Sequence, residues 1–337
     1  MTTPVIIWGA GAVGGTVGAY LHRAGHPVIL IDSEADHVAH IREYGLRIEG
    51  PIEEFIVHPP AMRPDELAAP VDTVFLCVKA HHTVGACRQI TNVLSETGCV
   101  VSLQNGLNEL AISEAVGPER TVGAFVNFGA DYMSPGLVQY AGHGAVVIGE
   151  VDGTNSGRAR FLHGLLRDFD ERAVLSNNIL GFLWSKLSYG SLLYATALTN
   201  DSIADVFAEK RFRKVLIALV REILTVTRAE GVTPESFDGY SPTLFAEDKS
   251  AIASLDAMVV HNRKSAKSHS GIWRDLVVRK RPTEVDAQLG PMVEIAKRHG
   301  IATPILIRLI DLIHDVETGR RAQGGDLLAV LDSANAA

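Results

Sequence analysis

Three glycines stand at G-x-G-x-x-G spacing in Gly9-Ala10-Gly11-Ala12-Val13-Gly14, directly after the apolar run Val5-Ile6-Ile7-Trp8. This spacing offers the grip of a pyrophosphate by backbone alone. Gly9 permits the tight turn, Gly11 lets the chain approach the phosphates, and Gly14 lets a helix pack closely on the strand. The helix-compatible segment from Gly15 to Ala24 supplies N–H groups and a partial positive charge. A second apolar run, Val28 to Ile31, ends at Asp32. A carboxylate there accepts hydrogen bonds from both ribose hydroxyls and repels a 2′-phosphate. Ser33 and Glu34 follow, and the nearest basic residues are His37 and Arg42. Gly9, Ala10, Gly11, Ala12, Val13, Gly14 and Asp32 are thus the expected dinucleotide site, with NAD(H) favoured over NADP(H). As the last residue before a helix over Ser33 to Glu43, Asp32 is also a plain N-cap candidate.

The elements that must position these residues are legible in the first half of the chain. Strands are predicted at Val5–Trp8, Val28–Ile31, Val71–Val78, Val100–Leu103, Thr121–Phe128, Leu137–Tyr140, Ala145–Gly149 and Ala173–Leu175, with a small hairpin or edge pair from Leu46–Ile48 and Phe55–His58. Ser134-Pro135-Gly136 reads as a turn, and Arg158–Phe169 as a helix. Strands alternating with helices predict an α/β doubly wound sheet. Ligands bind outside the carboxyl ends of such strands. That edge therefore receives Lys79, Ala80, His81 and His82 from one strand and Gln104, Asn105 and Gly106 from another.

After Asn178 the texture becomes helical. Ile179–Leu198, Arg211–Glu230, Leu244–Val260, Thr283–His299 and Pro304–Thr318 carry apolar residues at helical spacing, and Thr233–Pro242 reads as a loop. The expected organisation is a Rossmann-type domain over residues 1–178 and a mostly α-helical domain over 179–337, with residues Asp332 to Ala337 frayed.

Composition narrows the classes. The 337 residues are 47% hydrophobic and 21% charged with a formal net charge of -8, which fits globular domains with sizeable cores and no basic nucleic-acid surface. No apolar run is long enough to span a membrane, and Met1-Thr2-Thr3-Pro4 carries no leader pattern, so a cytoplasmic protein is expected. Cys77, Cys87 and Cys99 are too few and too widely spaced for a disulfide framework or a zinc site. His37 and His40 share a helix face, yet no third ligand accompanies them, so no metal is expected. No H-E-x-x-H, G-x-S-x-G or P-loop is present, which disfavours hydrolase and NTPase chemistry.

Taken together, the glycine turn, Cys77-Val78-Lys79, Gln104-Asn105-Gly106, Lys186-Leu187, Arg281-Pro282-Thr283-Glu284-Val285-Asp286 and Gly300-Ile301-Ala302-Thr303-Pro304 resemble the ketopantoate reductase family, the 2-dehydropantoate 2-reductases, over nearly the whole chain. The resemblance implies a Rossmann domain, a helical carboxyl-terminal domain, and reduction of a 2-keto acid by a nicotinamide cofactor, usually NADPH. It implies that Lys186 is catalytic, giving a proton to the developing alkoxide in one direction and acting as base in the other. Glu284 is the implied partner carboxylate, though a helix-start acid is its plainer role. Asn105 is implied as a contact to substrate or ribose, and Lys79 as a neighbour of the cofactor.

The chain departs from the family in two substrate segments. The family usually carries asparagines four and eight residues after its lysine; here those positions are Gly190 and Tyr194, and Tyr194 is a candidate to donate its hydroxyl to a different substrate, a core aromatic being its plainer role. The serine-rich substrate segment reads Lys267-Ser268-His269-Ser270-Gly271-Ile272-Trp273-Arg274-Asp275, leaving Ser270 and Arg274 as candidates for a substrate carboxylate. The sequence therefore predicts an oxidoreductase acting on a small 2-keto or 2-hydroxy acid, with 2-dehydropantoate the default substrate. The alternatives are an NAD-dependent dehydrogenase of another small hydroxy acid and an NAD(H)-sensing protein without turnover. Analogy with the family leaves room for a homodimer formed through the helical half.

Overall fold

The computed structural model describes residues 3–68, 70–264 and 268–334. It divides into two compact units, Met1–Leu180 and Gly181–Ala337.

In the first unit β1 (Val5–Trp8), α1 (Ala12–Arg23), β2 (Val28–Ile31) and α2 (Ala35–Tyr44) follow one another as the spacing predicts. Then come β3 (Leu46–Glu49), β4 (Phe55–Val57), β5 (Ala61–Met62), β6 (Val71–Leu76), α3 (Thr83–Ile90), β7 (Leu94–Ser102) and α4 (Asn108–Val116). The unit closes with β8 (Thr121–Val126), β9 (Gly129–Ser134), β10 (Leu137–Gly142), β11 (Val146–Glu150), α5 (Gly157–Phe169) and β12 (Val174–Leu175). The main sheet runs β12-β11-β8-β7-β6-β1-β2-β5. It is parallel apart from the antiparallel pair β8 and β11. Strand order reverses between β1 and β6, which opens the ligand crevice beside the glycine turn.

Central parallel strands are buried on both faces, and β1 shows why the run has no polar alternation. Val5 and Ile7 join a core with Leu162 and Leu165 of α5, whereas Ile6 and Trp8 join a second core with Ala86, Ile90 and Ile112 from α3 and α4.

Two expectations need correction. Leu137–Tyr140 is not a later strand of the main sheet; β10 pairs with β3 and β9 in a separate four-stranded sheet, β4-β3-β10-β9. The strand predicted over Val71–Val78 ends at Leu76, so Cys77 and Val78 already belong to the turn at the ligand edge.

The second unit is helical: α6 (Ile179–Thr196), α7 (Ile203–Ala208), α8 (Lys210–Ala229), α9 (Asp248–Lys264), α10 (Gly271–Val277), α11 (Val285–Arg298), α12 (Pro304–Glu317) and α13 (Gly325–Ser333). α6 begins just before the division between the units. Helix α8 is strongly amphipathic, burying Val215, Leu216, Leu219, Val220, Ile223 and Leu224 against the helices around it. Its Glu222 accepts the N–H groups of Ile305 and Leu306, capping the start of α12. Asp332 and Ser333 lie in α13 instead of fraying; residues 335–337 are outside the described residues. Among the described residues, no helix is long and apolar enough to cross a membrane.

Candidate active site

The first unit carries the candidate cofactor-binding residues. Gly9 has φ +100, a conformation that favours glycine, and a side-chain carbon there would sit 2.8 Å from the Val78 nitrogen. At Gly14 such a carbon would lie 2.0 Å from the Gly9 carbonyl oxygen and 2.9 Å from Cys77 Cβ. Gly14 thus sets the packing of helix on strand. Gly11 differs: a side-chain carbon there meets nothing within 4 Å. That open cradle is where a pyrophosphate would rest, and a side chain would fill it. No side chain caps α1, and its first turn holds no acid; Gly15 N–H to Gly11 C=O, 2.7 Å, closes the first turn. The N–H groups of Ala12, Val13 and Gly14 therefore face the cradle without an intrahelical acceptor. The residues fit a dinucleotide.

Asp32 is half-buried, and each of its oxygens already holds one bond. Oδ2 accepts the Ala10 N–H at 2.8 Å, and Oδ1 accepts the Glu34 N–H at 3.0 Å. Each carboxylate oxygen keeps a second lone pair for a ribose hydroxyl. The opposite side of the Ala10 peptide is held by His37, a residue without an assigned role in the sequence reading. The Gly136 N–H donates to His37 Nδ1 at 2.9 Å, so the ring proton resides on Nε2 and is donated to the Ala10 carbonyl at 2.9 Å. His37 is thereby committed to the backbone, and among the described residues no metal-holding cluster forms. Arg42 is turned away too, donating to the Ala61 carbonyl and to Glu66. The surroundings of Asp32 are acidic: burial, then the charges of Asp32, Glu34 and Asp36, raises the Tyr132 hydroxyl above its ordinary value.

At the neighbouring strand ends, Lys79 and Asn105 are both exposed. Asn105 is fixed through its backbone, because Asn108 Nδ2 donates to its carbonyl at 2.8 Å. Asn108 Oδ1 in turn accepts from Thr83, and Gln104 Nε2 donates to both Thr83 Oγ1 and the Val78 carbonyl. This buried network, of which the sequence revealed only Gln104 by position, ties the Asn105 loop to the Lys79 turn.

The second unit, described by itself, carries the candidate proton-transfer residues. Helix α6 is apolar nearly all round, and its Ser185, Ser188 and Ser191 are fully buried, each returning its hydroxyl to a backbone carbonyl one turn earlier. Lys186 emerges from this helix. Burial lowers its ammonium from the ordinary 10.5 to about 8, and the negative charges of Asp238 and Glu284 oppose that fall. Asp238 was not foreseen. It sits in the 233–242 loop with φ 41, a strained value for a residue with a side chain. The loop is fastened to α6 by Glu235 N–H to the Gly181 carbonyl and by Tyr240 hydroxyl against Ser188 Oγ at 2.7 Å.

Glu284 stands at the N-cap of α11, which begins at Val285 and not at Thr283, yet its side chain makes no capping bond. Its negative charge is felt at Lys186. Tyr194 is 1% exposed and its hydroxyl has no hydrogen-bond partner among the described residues. Burial, then Glu284, Glu317, Asp275 and Asp286, holds the phenol protonated well above its ordinary value. Lys186, Gly190 and Tyr194 share a helix face, and a side-chain carbon at Gly190 would meet nothing within 4 Å.

The other substrate candidates are local builders as well. Ser270 is buried and caps α10, its oxygen accepting the Trp273 N–H at 3.1 Å, which leaves its own proton to donate. Arg274 follows one turn later on the same helix. Trp273 stacks on His269 with ring centroids 4.1 Å apart and donates to Asn200. Lys267 lies outside the described residues.

The glycine turn of the first unit and the relatives that follow define an NAD(P)-dependent oxidoreductase acting on a CH–OH group. The family described as ketopantoate reductase PanE/ApbA matches residues 5–153, and its C-terminal counterpart matches residues 178–317. The chain belongs to the ketopantoate reductase family. It is 27% identical over 315 residues to the 2-dehydropantoate 2-reductase of Streptococcus pyogenes serotype M1, covering 93% of this chain and 97% of that one. A crystal structure of a PanE/ApbA family ketopantoate reductase from Ralstonia eutropha JMP134 is 26% identical with a TM-score of 0.79, covering 95% and 100% of the two chains. A D-mandelate dehydrogenase solved with NADH and anilino(oxo)acetate shares the fold at 24% identity, with a TM-score of 0.82 over 94% and 99% of the two chains.

Proposed function

We propose that this chain interconverts a small 2-keto acid and its 2-hydroxy acid with NAD(H), 2-dehydropantoate being the default substrate. The observation that carries the reading is Lys186 on α6, whose amine burial brings to about 8 while the charges of Asp238 and Glu284 oppose the fall. Bound NADH supplies the hydride that reaches the carbonyl carbon. Lys186 supplies the proton to the carbonyl oxygen, its ammonium the main form at neutral pH and yet close enough to neutrality to release the proton. Developing negative charge on that oxygen is stabilised by the same ammonium before transfer. Glu284 keeps the amine charged and can accept a substrate hydroxyl. Ser270 and Arg274 are the proposed contacts to the substrate carboxylate, Asn105 to substrate or ribose, and Lys79 to an anionic group of the cofactor.

Preference for NAD(H) is supported by Asp32 among Glu34 and Asp36, a field that opposes a 2′-phosphate, while His37 and Arg42 are both committed elsewhere. The free thiols Cys77, Cys87 and Cys99 are compatible with a reducing cytoplasm, and pairing of two copies through the helical unit is the proposed assembly.

One observation favours a second substrate. The open space at Gly190 and the unpartnered Tyr194 hydroxyl suit a 2-hydroxy acid with a bulkier, less hydroxylated side chain than pantoate. The deciding experiment is kcat/KM for 2-dehydropantoate and for phenylglyoxylate, each with NADH and NADPH. Turnover of 2-dehydropantoate on the order of 10⁴ M⁻¹s⁻¹ or more with NADH supports the default reading. A larger value for phenylglyoxylate replaces it with the second. NADH binding without turnover of either acid would instead support a sensor.

A further inference from the structure

Two side chains on α12 hold the segment that carries Glu284. Glu317 Oε1 accepts both the N–H and the hydroxyl of Thr283, each at 2.6 Å. Glu317 Oε2 faces His314 Nδ1 at 3.0 Å, and His314 Nε2 faces Asp286 Oδ1 at 2.8 Å. Both ring nitrogens meet carboxylate oxygens, which only accept, so both must donate and the ring is an imidazolium. Burial disfavours that charge, but the bonds to Asp286 and Glu317 outweigh it and raise the imidazole above its ordinary value. The cation also suits its place in the last turn of α12, where a lone Glu317 would oppose the helix dipole.

The residues either side of Glu284, Thr283 before it and Asp286 after it, are thus anchored to one His–Glu pair. The charged and titratable groups around this point are Lys186 and Tyr194 from α6, Asp275 from α10 with its ion-pair partners Arg279 and Arg281, Glu284 and Asp286 at the start of α11, and Glu317 and His314 from α12. Arg279 and Arg281 are spent on Asp275, whereas His314 bridges Asp286 and Glu317, so its charge offsets the repulsion between those two carboxylates.

We propose that His314 and Glu317 are positioning residues that hold Glu284 at the distance from which it sets the charge state of Lys186. This rests on Lys186 as the acid–base group with Glu284 as its partner. Glu317 touches no reacting atom; it acts through Thr283. Displacing Glu284 removes a negative charge from the lysine's surroundings, so the amine gives up its proton at a lower pH. Reduction then fades at a lower pH than in the unaltered enzyme.

The test compares kcat, KM and the basic limb of the pH profile for E317A, E317Q, T283V and E284Q, together with Tm and NADH affinity. In E317A the expected result is a fall in kcat on the order of 10–100-fold, NADH affinity unchanged, and the basic limb moved in the same direction as in E284Q. E317Q keeps an acceptor for Thr283 and should recover most of the activity and the limb. A folded E317A with a lowered Tm but an unmoved limb and unchanged kcat would overturn the proposal and leave Glu317 a brace. Should E317A fail to fold, T283V removes one of the two donors and is decided by the same limb: displaced supports, unmoved overturns. Failure of the underlying reading looks different, because E284Q and a Lys186 variant would then both keep wild-type rates.

Discussion

The glycine turn and the lysine pocket are built on opposite principles. At the turn, chemistry is done by backbone, and side chains matter by their absence: Gly11 leaves a cradle open while Gly14 could not hold one more carbon without meeting the Gly9 carbonyl. Around Lys186, burial lowers the proton affinity of a long side chain, and the carboxylates of Asp238 and Glu284, from other parts of the chain, pull it back up. A backbone site is robust to its surroundings because peptide groups do not titrate. A side-chain site is adjustable, since each neighbouring charge moves it.

The sharpest way to test that contrast is to remove one function at a time. Lys186→Ala should lower kcat by about 10³-fold while the dissociation constant for NADH, measured by fluorescence quenching, stays put. A joint loss of both would mean the two halves are not separable. Next in size is a pair of glycine substitutions. Gly11→Leu should leave Tm near wild type and weaken NADH by at least about tenfold, because it fills only the cradle. Gly14→Leu should lower stability by about 3 kcal/mol or more through overpacking, with cofactor binding lost as a consequence. Equal Tm values for the two would refute the division of labour between them.

The pH dependence of the wild-type enzyme comes third. Lys186 donates as ammonium, so the reductive rate should be full below about 8 and fall as pH rises through that value. The oxidative rate needs the neutral amine and should rise over the same range. A reductive profile that is flat from pH 7 to about 9.5 would remove Lys186 from the proton step.

The smallest effect concerns Glu109 on α4, which is 2% exposed. Burial raises its carboxyl from 4.5 to about 7, against the pull of the nearby Ser102 hydroxyl. The folded state therefore holds a proton that the unfolded chain has released, and stability is lost as pH climbs from 4.5 through 7. Glu109→Gln should add about 1–3 kcal/mol at pH 8 and little near pH 4.5, measured by urea unfolding, with no change in activity expected.

The same contrast governs how much could be read from sequence. The glycine turn, Asp32 and both flanking strands are contiguous, so residue type and spacing were sufficient. The proposed proton-transfer site draws on Lys186, Asp238, Glu284, His314 and Glu317, which lie far apart in the sequence; resemblance to a family pointed to Lys186 and Glu284, and nothing in the sequence pointed to the other three. Asp238 carries no local signal except its loop. His37 was noticed for its spacing to His40 and set aside as a metal ligand, but its bond to Gly136 could not be foreseen. Strand β9, Gly-Ala-Asp-Tyr-Met-Ser, escaped because it lacks β-branched residues and alternation, as an exposed edge strand can. Helices α3 and α4 are short and no side chain caps them, so their starts gave nothing to read.

The bond from Gly136 to His37 spans 99 positions. His37, which holds the Ala10 carbonyl, lies within the first helices, but the N–H that fixes its proton on the nitrogen facing Ala10 comes from Gly136 beside the small second sheet. The cofactor loop is therefore completed by a part of the chain made about a hundred residues later, and a defect in the smaller sheet should be felt at the glycine turn as weaker cofactor binding.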